Sequence, residues 1–184
     1  MLTFCKLLFQ LILSPVQGWA DISYASLPVK RLTSHGFYPL LALTSLTGLL
    51  FGVYHPSAMS WTTLIEKVIV EFVKFFVSYY VAVYLFSSYI HRFSDAEPSE
   101  KRNHTFIIFS LSLLALMDLL QNCLPIQLTV ISFLAIYVAV VMLRGVQYMA
   151  VSKERTEGFM IFSILTVILP PYLLGGLFYI LFFK

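Results

Sequence analysis

Charge is what this chain has least of. Lys, Arg, Asp and Glu make up 11% of its 184 residues, against roughly 25% in soluble domains. With 59% of residues apolar, a water-soluble core of this size has no room for them, and lipid is the simplest place for the excess. The net charge is +3, with the basic residues grouped in loops; this is a topology signal and does not mark a nucleic-acid surface. Cysteine is scarce as well. Cys5 and Cys123 are too few for a disulfide framework, and the topology derived below puts them on opposite sides of a membrane, so neither a bridge nor a metal site is expected. Catalytic signatures are missing too. No HExxH, GxSxG, Gly-rich phosphate loop or Cys/His cluster occurs. The four histidines, His35, His55, His91 and His104, fall at expected helix ends, two on each side. The expectation is a non-enzymatic protein without cofactor or nucleic-acid partner.

What is present is apolar helix. The pattern predicts an all-α, polytopic membrane bundle of five transmembrane helices preceded by N-terminal interfacial amphipathic helices. Residues 1–31 form those helices and a basic connector. Residues 32–184 form the membrane domain, with spans near 36–54, 62–90, 106–122, 126–147 and 158–183. In Met1–Ser14, the residues Thr3, Lys6, Gln10 and Ser14 recur at helical spacing and draw a narrow polar stripe on an otherwise apolar helix. Such a helix lies in the interface plane. Lys6 with Gly18-Trp19-Ala20 also admits a signal peptide and cleavage site, although Gln10 interrupts the short apolar run. Ser14-Pro15 ends the first helix. Val16–Ser26 follows as a second amphipathic piece with Trp19 and Tyr24 as interfacial aromatics, and Pro28, Lys30 and Arg31 form the connector.

The first span carries Ser45, Gly48 and Gly52 on one face. Gly48 and Gly52 make a GxxxG pair that lets another helix approach closely, either within the chain or at a homodimer seam. The second span holds Glu66, Lys67, Glu71 and Lys74 beside Phe72, Phe75, Phe76, Tyr79 and Tyr80. Its stripe is Thr63, Lys67, Glu71, Lys74, Ser78 and Ala82, with Lys67–Glu71 at i,i+4 and Glu71–Lys74 at i,i+3. Counting about 20 residues back from His91 places Glu71 near the far interface and Lys74 about one turn inside it. Lys74 then either snorkels from a helix end or lines a polar cavity open to the far side.

In the third span, Ser112, Ala115, Asp118 and Asn122 align. Asp118 is the only acid well within a hydrophobic run. It lies about 20 Å along the helix from Thr105, close in depth to Lys74. Glu71, Lys74, Asp118 and Asn122 are therefore the candidate intramembrane polar cluster. An acid at such depth is a functional-site hypothesis by default; its rivals are a structural Lys74–Asp118 pair or a cap for the turn Gln121–Pro125. Ser132, Ala135 and Ala139 give the fourth span a small-residue packing face, and Arg144 at its end snorkels or meets lipid phosphate. In the fifth span, Pro170-Pro171 removes two backbone donors and marks a candidate hinge, the kind of break that also marks substrate sites in transporters. Asn103-His104-Thr105 matches a glycosylation sequon, but at a helix start on the expected inner side.

Nine of the twelve basic residues sit in three regions: Lys6, Lys30 and Arg31; Arg92, Lys101 and Arg102; Arg144, Lys153 and Arg155. The turns His55–Trp61 and Gln121–Pro125 contain none. The positive-inside rule then gives five spans with the N-terminus in and the C-terminus out.

Leu13-Ser14-Pro15, Trp19-Ala20-Asp21-Ile22 and Phe37-Tyr38-Pro39-Leu40-Leu41 together resemble a known pattern. A proline after a short N-terminal helix, an aromatic a few residues on, then FYPLLAL opening the first span, is similar to the bacterial branch of the YIP (Ypt-interacting protein) family. That resemblance implies five spans, a cytoplasmic N-terminus and a bacterial cytoplasmic membrane. Eukaryotic members of the family are implied in vesicle traffic and Rab GTPase binding, but their acidic-Leu-Tyr-Gly-Pro signature is absent here. The resemblance therefore implies fold more than activity.

Two functional classes remain. One is a non-enzymatic protein that organises the bilayer or binds a second copy or another membrane protein. The other is a small permease or channel for an ion or solute, with a half-cavity built around Lys74 and Asp118. Geometry separates them: a water-accessible cavity between the two charges favours transport, and a closed pair disfavours it.

Overall fold

A computed structural model of the protein describes residues 2–54, 60–94, 96–97, 99–124 and 133–182. The described elements are helical, apart from one isolated bridge between Ser94 and Val151. We number them α1 (Leu2–Leu13), α2 (Pro15–Ala25), α3 (Val29–Tyr54), α4 (Trp61–Tyr89), α5 (Glu100–Cys123), α6 (Leu134–Arg144) and α7 (Lys153–Phe182). The helices α3, α4, α5 and α7 are each long and apolar enough to cross a membrane. The described part of α6 spans 11 residues, short of the ~20 that a crossing needs. The expected start of that helix at Ile126, Ser132 on its packing face, and the turn residues His55, Pro56 and Pro125 lie outside the described residues.

α5 is the centre of the bundle. Of its apolar window 61% is buried, against 22% in α4 and α7. Phe106 to Ala115 is buried on every side, as expected of a helix that is apolar all round. α3, α4, α6 and α7 pack around it, and α1 closes one flank. Between membrane helices packing and hydrogen bonds, not apolar burial, drive association, and α3 and α4 both have polar ties to α5. Thr44 donates to the Ala115 carbonyl at 3.2 Å and Tyr54 to the Cys123 carbonyl at 3.0 Å. Tyr79 meets His104 Nδ1 at 2.7 Å, a contact between α4 and α5 that the sequence did not suggest.

Several helix starts differ from expectation. α3 begins at Val29, so the expected basic connector is its first turn; Pro28 occupies the N-cap with extended backbone. α5 begins at Glu100, six residues before the predicted start. Ser99 caps it by accepting from the Arg102 amide at 3.4 Å, which satisfies one orphan donor of the first turn. Asn103 of the sequon is consequently 2% exposed within the helix.

The proline-bearing helices run on by widening a turn. A π-helical turn spans Thr33–Phe37 ahead of Pro39, and another spans Ile164–Ile168 ahead of Pro170-Pro171. A proline ring collides with the carbonyl four residues back. Those carbonyls belong to His35, Thr166 and Val167, all inside the π turns, where the wider spiral makes room. The candidate hinge at Pro170 and Pro171 is thus a π-bulged stretch of one continuous helix.

Trp19 corrects the reading of the N-terminal helices. It is not an interfacial aromatic facing headgroups: it is 3% exposed. Its ring stacks on Phe106 and Tyr148 at 5.3 and 5.2 Å, and its indole N–H donates to the Val141 carbonyl at 2.9 Å. An aromatic with one polar edge suits either an interface or a core with an available acceptor, and here the last turn of α6 supplies the acceptor. Gly145 allows the approach, since a Cβ there would lie 2.7 Å from the indole. Gly18 does the same between α1 and α2, where a Cβ would sit 2.5 Å from the Leu11 backbone. Tyr24, in contrast, is fully outward. α1 and α2 therefore form a hairpin locked to the bundle, with Tyr137 donating to the Ile12 carbonyl as a further tie.

Replacing Trp19 with Ala removes a buried aromatic and its hydrogen bond, a change that costs about 3–5 kcal/mol in folded cores. The expected outcome in detergent is a lowered thermal midpoint together with faster tryptic cleavage at Lys6 as the hairpin undocks.

Candidate functional site

α4 continues unbroken past its charges because Ser60 caps it, accepting from the Thr63 amide at 3.3 Å. The helix then carries Glu71 and Lys74 on the face turned to α5, where Phe75, Ser78, Tyr79 and Ala82 are buried further along. Asp118 reaches the same point from α5. The Lys74 ammonium donates to Asp118 Oδ2 at 2.7 Å and lies 2.8 Å from Glu71 Oε2. It also sits 5.1 Å from the centre of the Phe75 ring. The side chains of Glu71, Lys74 and Asp118 are 12%, 14% and 23% exposed, so the bundle shields most of each.

One cation thus lies between two carboxylates. Lys67, one turn earlier on the same stripe, acts electrostatically on Glu71. The formal charge of the four residues sums to zero, which suits a site where each uncompensated charge is costly. α7 lies across the cluster just after its two prolines. Gly175 faces the aliphatic stem of Lys74, where a Cβ would stand 3.7 Å from Cδ. The geometry is that of a closed three-helix clasp: both shortest contacts are direct, charge-assisted hydrogen bonds.

Asn122 does not belong to it. Its amide donates instead to the Thr44 carbonyl at 3.4 Å and the Thr47 hydroxyl at 3.5 Å on α3. The residue shares a helical stripe with Asp118, but α3 crosses α5 at that level and offers acceptors nearer than Lys74. Gly48 and Gly52 face α4 of the same chain. A Cβ on Gly52 would sit 2.5 Å from a Leu64 methyl, and one on Gly48 would reach Val68 at 4.0 Å, so the helix-packing role of this pair is occupied within the chain. Among the described residues no group of three or more His, Cys, Asp or Glu could hold a metal ion. Cys5 and Cys123 are both free and exposed.

The aromatic ladder beside the cluster was missed by the sequence reading. Phe72 stacks on Phe76 at 5.8 Å between ring centres, Phe76 meets Tyr80 edge-on at 5.0 Å, and the Tyr38 and Tyr80 hydroxyls meet at 3.2 Å. The signal was the i,i+4 spacing of those aromatics along α4.

Taken together, these features describe an all-helical chain with four helices able to span a bilayer and a neutral charge cluster inside the bundle. Comparison with family models, with curated proteins and with solved structures finds no match.

The clasp has a graded signature. Asp118→Asn leaves Lys74 with Glu71 and loses one charge-assisted bond, which typically contributes about 1.5–3 kcal/mol. Lys74→Met costs more, because it leaves two carboxylates side by side. Neutralising all three in Glu71→Gln, Lys74→Met, Asp118→Asn restores much of the loss. Thermal unfolding in detergent reads all three, and strictly additive losses would reject direct coupling.

Proposed function

We propose that this chain is a non-enzymatic, multi-pass protein that organises one leaflet of the membrane in which it sits, a YIP-like body of five spans in a bacterial cytoplasmic membrane with its N-terminus inside. In this reading α6 completes the fifth span. The spacing of basic residues supports the orientation, because Lys30, Arg31, Lys101, Arg102, Arg144 and Lys153 fall at one end of the helices.

The observation that carries the proposal is the three-sided character of α1. Phe4, Leu7, Leu8 and Leu11 are buried against the bundle. Thr3, Lys6, Gln10 and Ser14 form the polar stripe. Leu2, Phe9 and Leu13 are 89%, 64% and 72% exposed on a third, apolar face. A helix with protein on one side, water on the next and lipid on the third lies in the membrane plane. Because Trp19 and Gly18 lock the hairpin to the spans, its volume enters one leaflet only and cannot relax away from the transmembrane body. The transport alternative requires the clasp to open, since the Lys74 ammonium is committed to two carboxylates at 2.7 and 2.8 Å.

Reconstitution at increasing protein density is expected to reduce the mean diameter of lipid vesicles seen by electron cryomicroscopy. The triple change Leu2→Ser, Phe9→Ser, Leu13→Ser removes the lipid face alone and is expected to abolish that effect while leaving the thermal midpoint within a few degrees. Vesicles of unchanged shape with the native protein, or an equal effect from the triple variant, would rule the proposal out.

A further inference from the structure

Between α2 and the ends of α5 and α6 lies a cavity of about 530 Å³, inside the roughly 300–1,000 Å³ range of ligand sites. Trp19 and Phe109 form part of its apolar wall, and Lys101, Arg102 and Arg144 bring three positive charges to it. No acidic side chain is among its described lining residues. Three like charges converging on one cavity repel one another unless an anion enters.

The donors are unequally committed. Lys101 donates to the carbonyl and hydroxyl of Ser26, both at 2.7 Å, and so pins the end of α2. Arg102 donates through Nη2 to the Glu97 carbonyl at 3.0 Å, while its Nε is buried with no partner among the described residues. A buried guanidinium N–H without an acceptor is costly, and the Arg102 side chain lines the cavity. Arg144 is exposed at the end of α6. Ser99, the N-cap of the 24-residue α5, also lines the space, so the positive end of a long helix points the same way. Gln147 adds a neutral donor.

We infer that this cavity binds an anionic phosphate ester. Arginine pairs presented at one point match the planar, multi-acceptor face of a phosphate. A carboxylate would use fewer of the available donors. Basic pockets between membrane helices on the positive side are suited to lipid headgroups, and Val16 and Trp19 continue the cavity wall as apolar surface on which an acyl chain can lie. The phosphate chemistry stands on the cavity alone; a lipid as its source rests on the reading of α2 as interfacial.

The test uses the full-length protein in detergent with Trp61→Phe, which leaves Trp19 as the sole tryptophan, in the cavity wall. Dioctanoyl phosphatidylglycerol is expected to change Trp19 emission saturably, with dioctanoyl phosphatidylcholine at least tenfold weaker. Arg144→Gln, at an exposed position, is expected to weaken phosphatidylglycerol at least tenfold, and Arg102→Gln to do the same if it folds. Inorganic phosphate that competes at equal or better affinity supports the phosphate site with a soluble source, and weak competition supports a lipid. Indistinguishable responses to the two lipids without any response to phosphate would overturn the inference, as would unchanged affinity in Arg144→Gln. Tryptic cleavage at Lys6 separates the two levels. A protected Lys6 with no response to either anion defeats the site alone, whereas rapid cleavage in the native protein defeats the docked hairpin and the cavity with it.

Discussion

An ammonium among apolar helices has to be neutralised by protein, and that requirement at Lys74 sets the arrangement of three helices. The side chain lies too far along α4 for its charge to be met by the helix's own end. Glu71 one turn back supplies one carboxylate, and Asp118 supplies the other from α5. Meeting both at once fixes the rotation of α4 about its axis and its height against α5. α7 then has to lie where Gly175 clears the lysine stem. The cost of desolvating such charges is recovered only when geometry is good and the charges balance, and the addition of Lys67 brings that balance to zero.

The same lack of water governs the backbone. Proline leaves carbonyls without donors, and in a bilayer those must be met inside the protein. Both prolines-in-helix sites answer in the same way, with a π turn immediately upstream. At the second site the Thr166 hydroxyl donates back to the Phe162 carbonyl at 2.8 Å. Nearby, where Phe93 stacks on Phe162, Ser94 donates to the Met149 and Ala150 carbonyls at 3.0 and 3.3 Å, clipping together the segments that follow α4 and α6. Polar groups are thus used to join elements.

How far the sequence revealed this differs residue by residue. Helices of spanning length were legible because lipid demands long apolar runs, and the depth match of Lys74 and Asp118 followed from counting residues along straight helices. Asn122 was misplaced because a shared stripe gives a direction from the axis but not which neighbour crosses there. Trp19 was misread because an indole in an amphipathic helix fits headgroups and core equally well until the acceptor at Val141 is known. The centrality of α5 was encoded in a run, Phe106 to Ala115, without a polar side, yet the sequence reading used that run only to count a span. The His104–Tyr79 bond had no one-dimensional signal at all, since 25 residues and a loop separate the two.

A helical bundle with a neutral charge cluster and a docked N-terminal hairpin makes structural sense of the scarce charge: most of it is either in the basic regions at the helix ends or in the clasp. Whether the clasp stays shut is the claim on which the rest turns. Proton and potassium flux through proteoliposomes, driven by an imposed gradient, tests it most directly. The account predicts leakage equal to that of empty vesicles for the native protein and for Asp118→Asn alike. A sustained flux that Asp118→Asn abolishes would contradict it.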